Sequence, residues 1–592
     1  MQKQNKTIAN LNAVWGRNYK SFDEVTPVQR KAVENSSNLA PWLDHKVFMS
    51  RVYAERFIGA RAKTIQKHVP GAQVGMSGTQ VPGYGYDWWQ LMKHIGCIAY
   101  YSGVQRTLVN DFGPADRLFG QWGGGYTSSH TLYEPYQRAP QWSNLFMGAN
   151  ISWNWHGSAY NGDGSPTENL KAYADEFNLL KKGLAKLLLG AKSDNRQVAV
   201  LYSQASLFAA MAGGIGISEW QNTQTGWNAL LRDLKINFRF ISYEQLSDSK
   251  FDLSNFKVII LPMALAISEA ERAHLVKFAE KGGVVIADVA PGRYDNHGKR
   301  IAGTVLDKLF PANAKAIDPQ TVDLSKGTLQ GKFRIAEPAI APCYEKRCGK
   351  GKGILLNIML NSYQAVTLGG VGGETATAKS GSALYCDSMQ KTLKELLSQA
   401  GIKPHAVVTD SKGNLVPSES VLKTDTCNNY FGLLRGGGTR AQGVRIDHKN
   451  APVVTVKLPV SGVIYDVRTG KLLARGNTFK VKAPYGYGQL FAVLPQEVKA
   501  PVVKMASAAK AGNVVTLSAQ APGAQGASVY RVEVRDPAGK EMRIYAKNTR
   551  FETPAAKFAF QLPFNAACGK WQVTVIHVAS QQKTTLPLTV AK

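Results

Sequence analysis

Apolar residues along this chain change their period from one stretch to the next, and each change predicts a different kind of element. Between residues 47 and 68, Phe48, Val52, Phe57, Ile58, Ala62 and Ile65 recur at helical spacing, which predicts an amphipathic helix. Pro70-Gly71 stops it. Short apolar runs follow at 73–80, 95–101, 118–122 and 150–155, with helix-compatible segments such as 88–94 and 142–147 between them. A helix over 168–189 closes the series. Residues 1–194 therefore predict four β/α units, the C-terminal half of a (β/α)8 barrel. Half a barrel would leave strand edges and an apolar sheet face uncovered.

Residues 195–402 change character. The runs 197–203, 237–242, 256–262 and 283–288 are almost continuously apolar, and helices at 218–234 and 268–281 separate them. Strands buried on both faces read this way, so the segment predicts a flavodoxin-like, doubly wound α/β domain. Residues 351–357 and a helix at 388–400 are expected to return to it. Gly213-Gly-Ile-Gly216, expected after the first strand, lacks both the full dinucleotide fingerprint and the Walker Lys-Ser/Thr, so it reads as a plain loop. Residues 403–497 and 498–592 alternate apolar and polar positions between Gly- and Pro-rich turns, which predicts two β-sandwich domains, the last one Ig-like.

Composition narrows the function classes. The 592 residues are too many for one core. Hydrophobic content of 44% and charged content of 19% describe a globular chain. No apolar run reaches the ~18 residues that span a bilayer, so no membrane partner is expected. The net charge is +29, but the basic residues are scattered. Their densest knot, Lys346-Arg347 with Lys350 and Lys352, sits among glycines like a turn, and no nucleic-acid signature accompanies it. The six cysteines form no Cys-x-x-Cys pair and no metal set, so neither metal nor cofactor is expected. Cys97 reads as a buried thiol, and Cys343 with Cys348 could close a small disulfide loop in an exported protein. Cysteine usage leaves a cytoplasmic location open. The polar start, Met1-Gln-Lys-Gln-Asn-Lys-Thr, contains no signal peptide.

The candidate chemistry gathers at the ends of the first four strands, where barrels carry their function. Gln80, Tyr101, Gln121 with Trp122, and Trp153 with Trp155 and His156 all fall there, and Trp88 could add a wall from the following helix. Aromatic rings beside amides suit a sugar: the ring face of the sugar stacks, and its hydroxyls need hydrogen-bond partners. A Trp-rich hydrophobic core would show the same periodicity.

Local motifs resemble those of the family 42 glycoside hydrolases, β-galactosidases with a middle trimerisation domain. Leu11-Asn-Ala-Val-Trp15-Gly16-Arg-Asn-Tyr19 with Ser21-Phe22-Asp-Glu-Val25 resembles the segment after that family's fourth barrel strand. Trp42-Leu-Asp44, followed by Phe48, is similar to its next helix, and residues 138–155 to its seventh-to-eighth-strand segment. Residues 198–203, Leu261-Pro262 and Gly282-Gly283 resemble the trimerisation domain. The resemblance covers about residues 5–495 and implies a galactose-type oligo- or polysaccharide partner and a homo-oligomer, in the family a trimer.

It also implies retaining chemistry by two carboxyl groups about 5 Å apart. In this correspondence the acid/base strand would lie before Met1, and Gln121 stands near the nucleophile position, where an amide cannot form the glycosyl ester. The resemblance thus implies a fragment of an exported hydrolase, its signal peptide and first four strands not in this chain, and inactive as given. A non-catalytic carbohydrate-binding or assembly protein on the same scaffold is the alternative. Glu134 in a nearby loop, with Asp87 and Asp111 after the fifth and sixth strands, are the remaining candidate acids, each expected to be a solvated loop group.

Overall fold

The computed structural model describes residues 6–34, 36–79, 86–100, 104–125, 132, 134–156, 159–193, 196–311, 343–358, 360, 363, 382–436 and 443–592. The first helix, Ile8–Trp15, is capped by the Thr7 hydroxyl and ends at Gly16, whose φ of 63° only glycine adopts freely. Trp15 donates its indole N–H to Asp44 Oδ2 at 2.9 Å, which locks this helix onto the next.

That next helix starts earlier than the periodicity predicts. It runs Ala40–Val52, passes through a π turn at Tyr53–Gly59 and continues as Ala60–His68. The predicted apolar face is only partly the buried one: Phe48, Phe57 and Ile65 are each more than 40% exposed, while Ala54 and Ala62 are buried. A π turn inserts an extra residue, so a face counted at 3.6 residues per turn slips as it crosses the insertion.

Strands β1 (Gly75–Thr79), β2 (Cys97–Tyr100), β3 (Leu118–Gly125) and β4 (Trp153–His156) form one parallel sheet in that order. Helices Trp88–Met92, Gln105–Phe112 and Glu134–Phe146 connect them. β3 runs three residues further than its apolar pattern because pairing with β4 carries Gly123 to Gly125 along, against the low strand propensity of glycine. The closing helix is broken by a π turn at Leu180–Leu184, where Gly183 has φ 107°.

Strands β5 (Val198–Tyr202), β6 (Phe238–Ser242), β7 (Val258–Leu261), β8 (Val284–Ala287), β9 (Tyr344–Cys348) and β10 (Gly351–Leu355) make the second sheet, ordered β6-β5-β7-β8-β10-β9. Five of these strands are parallel and β9 is an antiparallel edge, so the doubly wound reading holds with one strand added. The Lys346-Arg347 knot lies in β9 rather than in a turn. The Gly213 to Gly216 loop follows helix Gln204–Ala212 rather than a strand, so it lies off the strand–loop–helix path a phosphate loop requires. The first two units share one core: Trp88, Leu91, Ile98 and Leu108 pack with Val200, Phe208, Trp227 and Leu230.

Residues 407–494 form one antiparallel sheet rather than two facing sheets. The 14-residue strand Val453–Asp466 shifts register between Lys457 and Gly462, bends, and pairs with three neighbours, so a single sheet curls over its own core. Residues 502–591 do form a sandwich, of a three-stranded and a five-stranded sheet. Among the described residues no helix is long and apolar enough to cross a membrane. Cys343 and Cys348 are free thiols, and Cys97 is half-buried rather than fully buried.

Candidate functional site

β1 to β4 end at Thr79, Tyr100, Gly125 and His156, and because the strands are parallel these ends lie along one edge of the sheet. Register sets Trp122 beside Trp153, Gly123 beside Asn154, Gly124 beside Trp155 and Gly125 beside His156. Pairing thus sets the backbone of Gly123 to Gly125 alongside β4. Trp153 is half-buried. Gln80 and Tyr101, one residue beyond β1 and β2, lie outside the described residues, as do the side chains of Trp122, Trp155 and His156.

Two predicted site residues are placed elsewhere. Gln121 is the register partner of Tyr100 and, two residues on, shares a face with Phe119. Both rings are buried, and the Tyr100 hydroxyl reaches Asn144 on helix Glu134–Phe146 at 3.4 Å, so Gln121 turns to the helix side of the sheet. Trp88 has no exposed surface and packs in the shared core, its backbone N–H donating to the Tyr202 hydroxyl at 3.2 Å. The second domain covers this helix, which therefore forms no wall of the expected site.

Between Gly75 and Ser158 the sequence holds four acids, Asp87, Asp111, Asp116 and Glu134. Asp87 caps helix Trp88–Met92, accepting from the Trp89 and Gln90 N–H groups at 3.1 and 3.3 Å and from the Tyr243 hydroxyl at 2.6 Å. Burial pushes its carboxyl up to about 6. Asp111 is buried beside Arg196 at 2.6 Å and accepts from the Phe240 N–H at 2.8 Å; burial raises its pKa too. Neither is the solvated loop acid expected. Glu134 begins its helix, accepting from Arg138 at 2.9 Å and from the Ile446 N–H at 3.1 Å, which ties it to the third domain. Asp116 is exposed and receives Gln73 at 3.4 Å.

Sequence reasoning missed a buried ion cluster. Glu176 accepts from Arg468 at 2.6 Å, from Arg138 at 3.1 Å and from the Trp142 indole. Helical spacing alone would have shown Glu176 on an inward position; its partners come from distant segments. Asp44, seen only as part of a motif, holds both Trp15 and His297, whose Nδ1 lies 2.9 Å away. That hydrogen bond raises the His297 pKa. The motif thus joins three segments of the scaffold.

The β-galactosidase model of glycoside hydrolase family 42 matches residues 2–158, and the β-galactosidase trimerisation domain matches residues 196–319. This is a glycoside hydrolase family 42-like protein. Among solved structures, the family 42-like chain is similar to a β-galactosidase from Bacillus circulans sp. alkalophilus, with 15% identity and a TM-score of 0.58 over 83% of this chain and 75% of that one. A GH42 β-galactosidase from G. stearothermophilus is similar at 15% identity and a TM-score of 0.57, over 83% and 74% of the two chains. A GH42 exo-carrageenase from Bacteroides ovatus is similar at 14% identity and a TM-score of 0.50, over 83% of this chain and 61% of its own. At these identities the likeness shows the fold. A sequence comparison with curated proteins returns no match.

Proposed function

We propose that this family 42-like protein binds a galactose-type oligo- or polysaccharide at the C-terminal edge of β1 to β4 and does not cleave it with the groups of that sheet. By motif correspondence the sheet stands for barrel strands five to eight. One observation carries the reading: of the four acids between Gly75 and Ser158, three are committed to holding the scaffold and the fourth, Asp116, is an exposed group in the turn before β3, at the opposite edge from the strand C-termini. Retaining hydrolysis needs two carboxyl groups about 5 Å apart and free to act. The half-buried Trp153 and the Gly123–Gly125 backbone paired with β4 support stacking of a sugar ring at this edge.

Calorimetric titration of the purified chain with a galacto-oligosaccharide tests this. Binding at roughly 0.1–1 mM is expected, with loss of binding in Trp155→Ala and an unchanged circular dichroism spectrum. Hydrolysis of an aryl galactoside should be undetectable; robust turnover would overturn the reading and return attention to Glu134 and Asp87.

A further inference from the structure

A cavity of about 600 Å³ lies at the opposite end of the fold, where the N-terminal ends of β3 and of β6 meet the third domain. Its walls come from three units: Arg117 before β3, Arg196 before β5, Arg232 at the end of helix Ile217–Asp233, and Lys423 on the strand Glu419–Asp425. Two acids, Asp111 and Glu419, share the space. Asp111 is already taken by Arg196 at 2.6 Å and the Phe240 N–H at 2.8 Å, and Glu419 by Arg232 at 3.0 Å, although its second oxygen has no partner.

Among the described residues neither Lys423 nor Arg117 makes a close ion pair, although the charge of Asp111 acts on Arg117 at longer range. Lys423, only 7% exposed, donates to the Leu188 carbonyl at 3.2 Å. Arg117 donates to Asn110 Oδ1 at 2.6 Å and the Pro114 carbonyl at 2.9 Å, and its Nε is buried with no acceptor. All these acceptors are neutral. A buried cation is ordinarily paired, because its lost hydration costs several kcal/mol. Burial, and then the repulsion of Arg196 and Arg117, pull the Lys423 pKa down to about 8. An anion between these groups would compensate both cations.

We propose that this cavity is a binding site for a small oxyanion of the phosphate or sulfate class, held by Lys423 and Arg117 with Arg196 at its side. A tetrahedral anion presents several acceptors at once, which a planar guanidinium and an ammonium can share. The site lies at the N-terminal ends of the strands, away from the sugar edge, and does not depend on that reading.

The test is titration of the full chain with sodium phosphate, sodium sulfate and a hexose monosulfate, each against sodium chloride at equal ionic strength, followed by calorimetry and by thermal melting. Saturable binding and a rise in melting temperature of ~2 °C or more over chloride are expected, with affinity reduced at least tenfold in Lys423→Met and in Arg117→Gln. A response to the inorganic anions identifies a free ion as the ligand; a response to the hexose monosulfate alone identifies an esterified one, and either supports the site. Absence of saturable binding, or binding unchanged in whichever variant folds, overturns it. Sulfate stabilises proteins non-specifically, so a rise in melting temperature without saturation counts against the proposal.

Discussion

Glu176 shows how much a single buried side chain can hold. It is 1% exposed and compensates Arg138 and Arg468 while accepting the Trp142 indole. Removing one member of a buried ion cluster strands the rest, so Glu176→Ala should cost about 3–5 kcal/mol, read as a lower urea midpoint. His577 gives a pH signature. Burial lowers its pKa from 6.5 to about 4, so the unfolded chain takes up the proton first as pH falls. Stability is present above pH 6.5 and is lost towards pH 4, by about 3 kcal/mol in all. His577→Gln should flatten that part of the acid limb in urea midpoints measured from pH 7 to pH 4; an unchanged slope would contradict the assignment. At this scale the sequence was legible where neighbours in sequence are neighbours in space, as for the helix stopped at His68 by Pro70-Gly71. It was illegible for Trp88, Gln121 and Glu176, whose surroundings come from other domains or from the pleat of one strand.

Helix Ile217–Asp233 carries a case where two element-scale effects oppose each other. Gly226 lies inside it, and in an exposed helix Gly→Ala gains up to about 1 kcal/mol. Here an added Cβ would stand 2.0 Å from the Leu360 carbonyl oxygen, a backbone atom that cannot step aside. Gly226→Ala should therefore lower stability, by about 1–3 kcal/mol, and thermal melting decides the sign. The strands of the α/β domain were readable because burial on both faces makes them uniformly apolar. β9 was not, because an edge strand with one face in water reads Tyr-Glu-Lys-Arg-Cys and looks like a turn. The π turn at Tyr53–Gly59 and the bend in Val453–Asp466 were hidden because both depart from the regular period that a pattern search assumes.

For the whole molecule, the order of units along the chain was legible and their energetic grouping was not. The match of residues 196–319 to a trimerisation domain leads us to expect self-association: sedimentation of the full chain should show a species larger than the monomer at micromolar concentration, and a strictly monomeric boundary would sink the idea. Expressing 1–194 alone should give an aggregating product, now for a second reason. The cut would divide the core that Trp88 and Leu108 share with Val200 and Trp227.

Helices at 134–190 belong by chain order to the first unit, yet Trp142, Phe146, Leu184 and Leu188 pack in one cluster with Tyr430, Leu490, Val529 and Val575. Opening events should follow that partition rather than the linear one. Amide protons of residues 137–146 and 170–179 should exchange with deuterium in step with those of the β-rich C-terminal half, while those of β2 exchange with the α/β sheet. A protease nick near residue 194 would then release no fragment under native conditions, because the two pieces would remain interleaved.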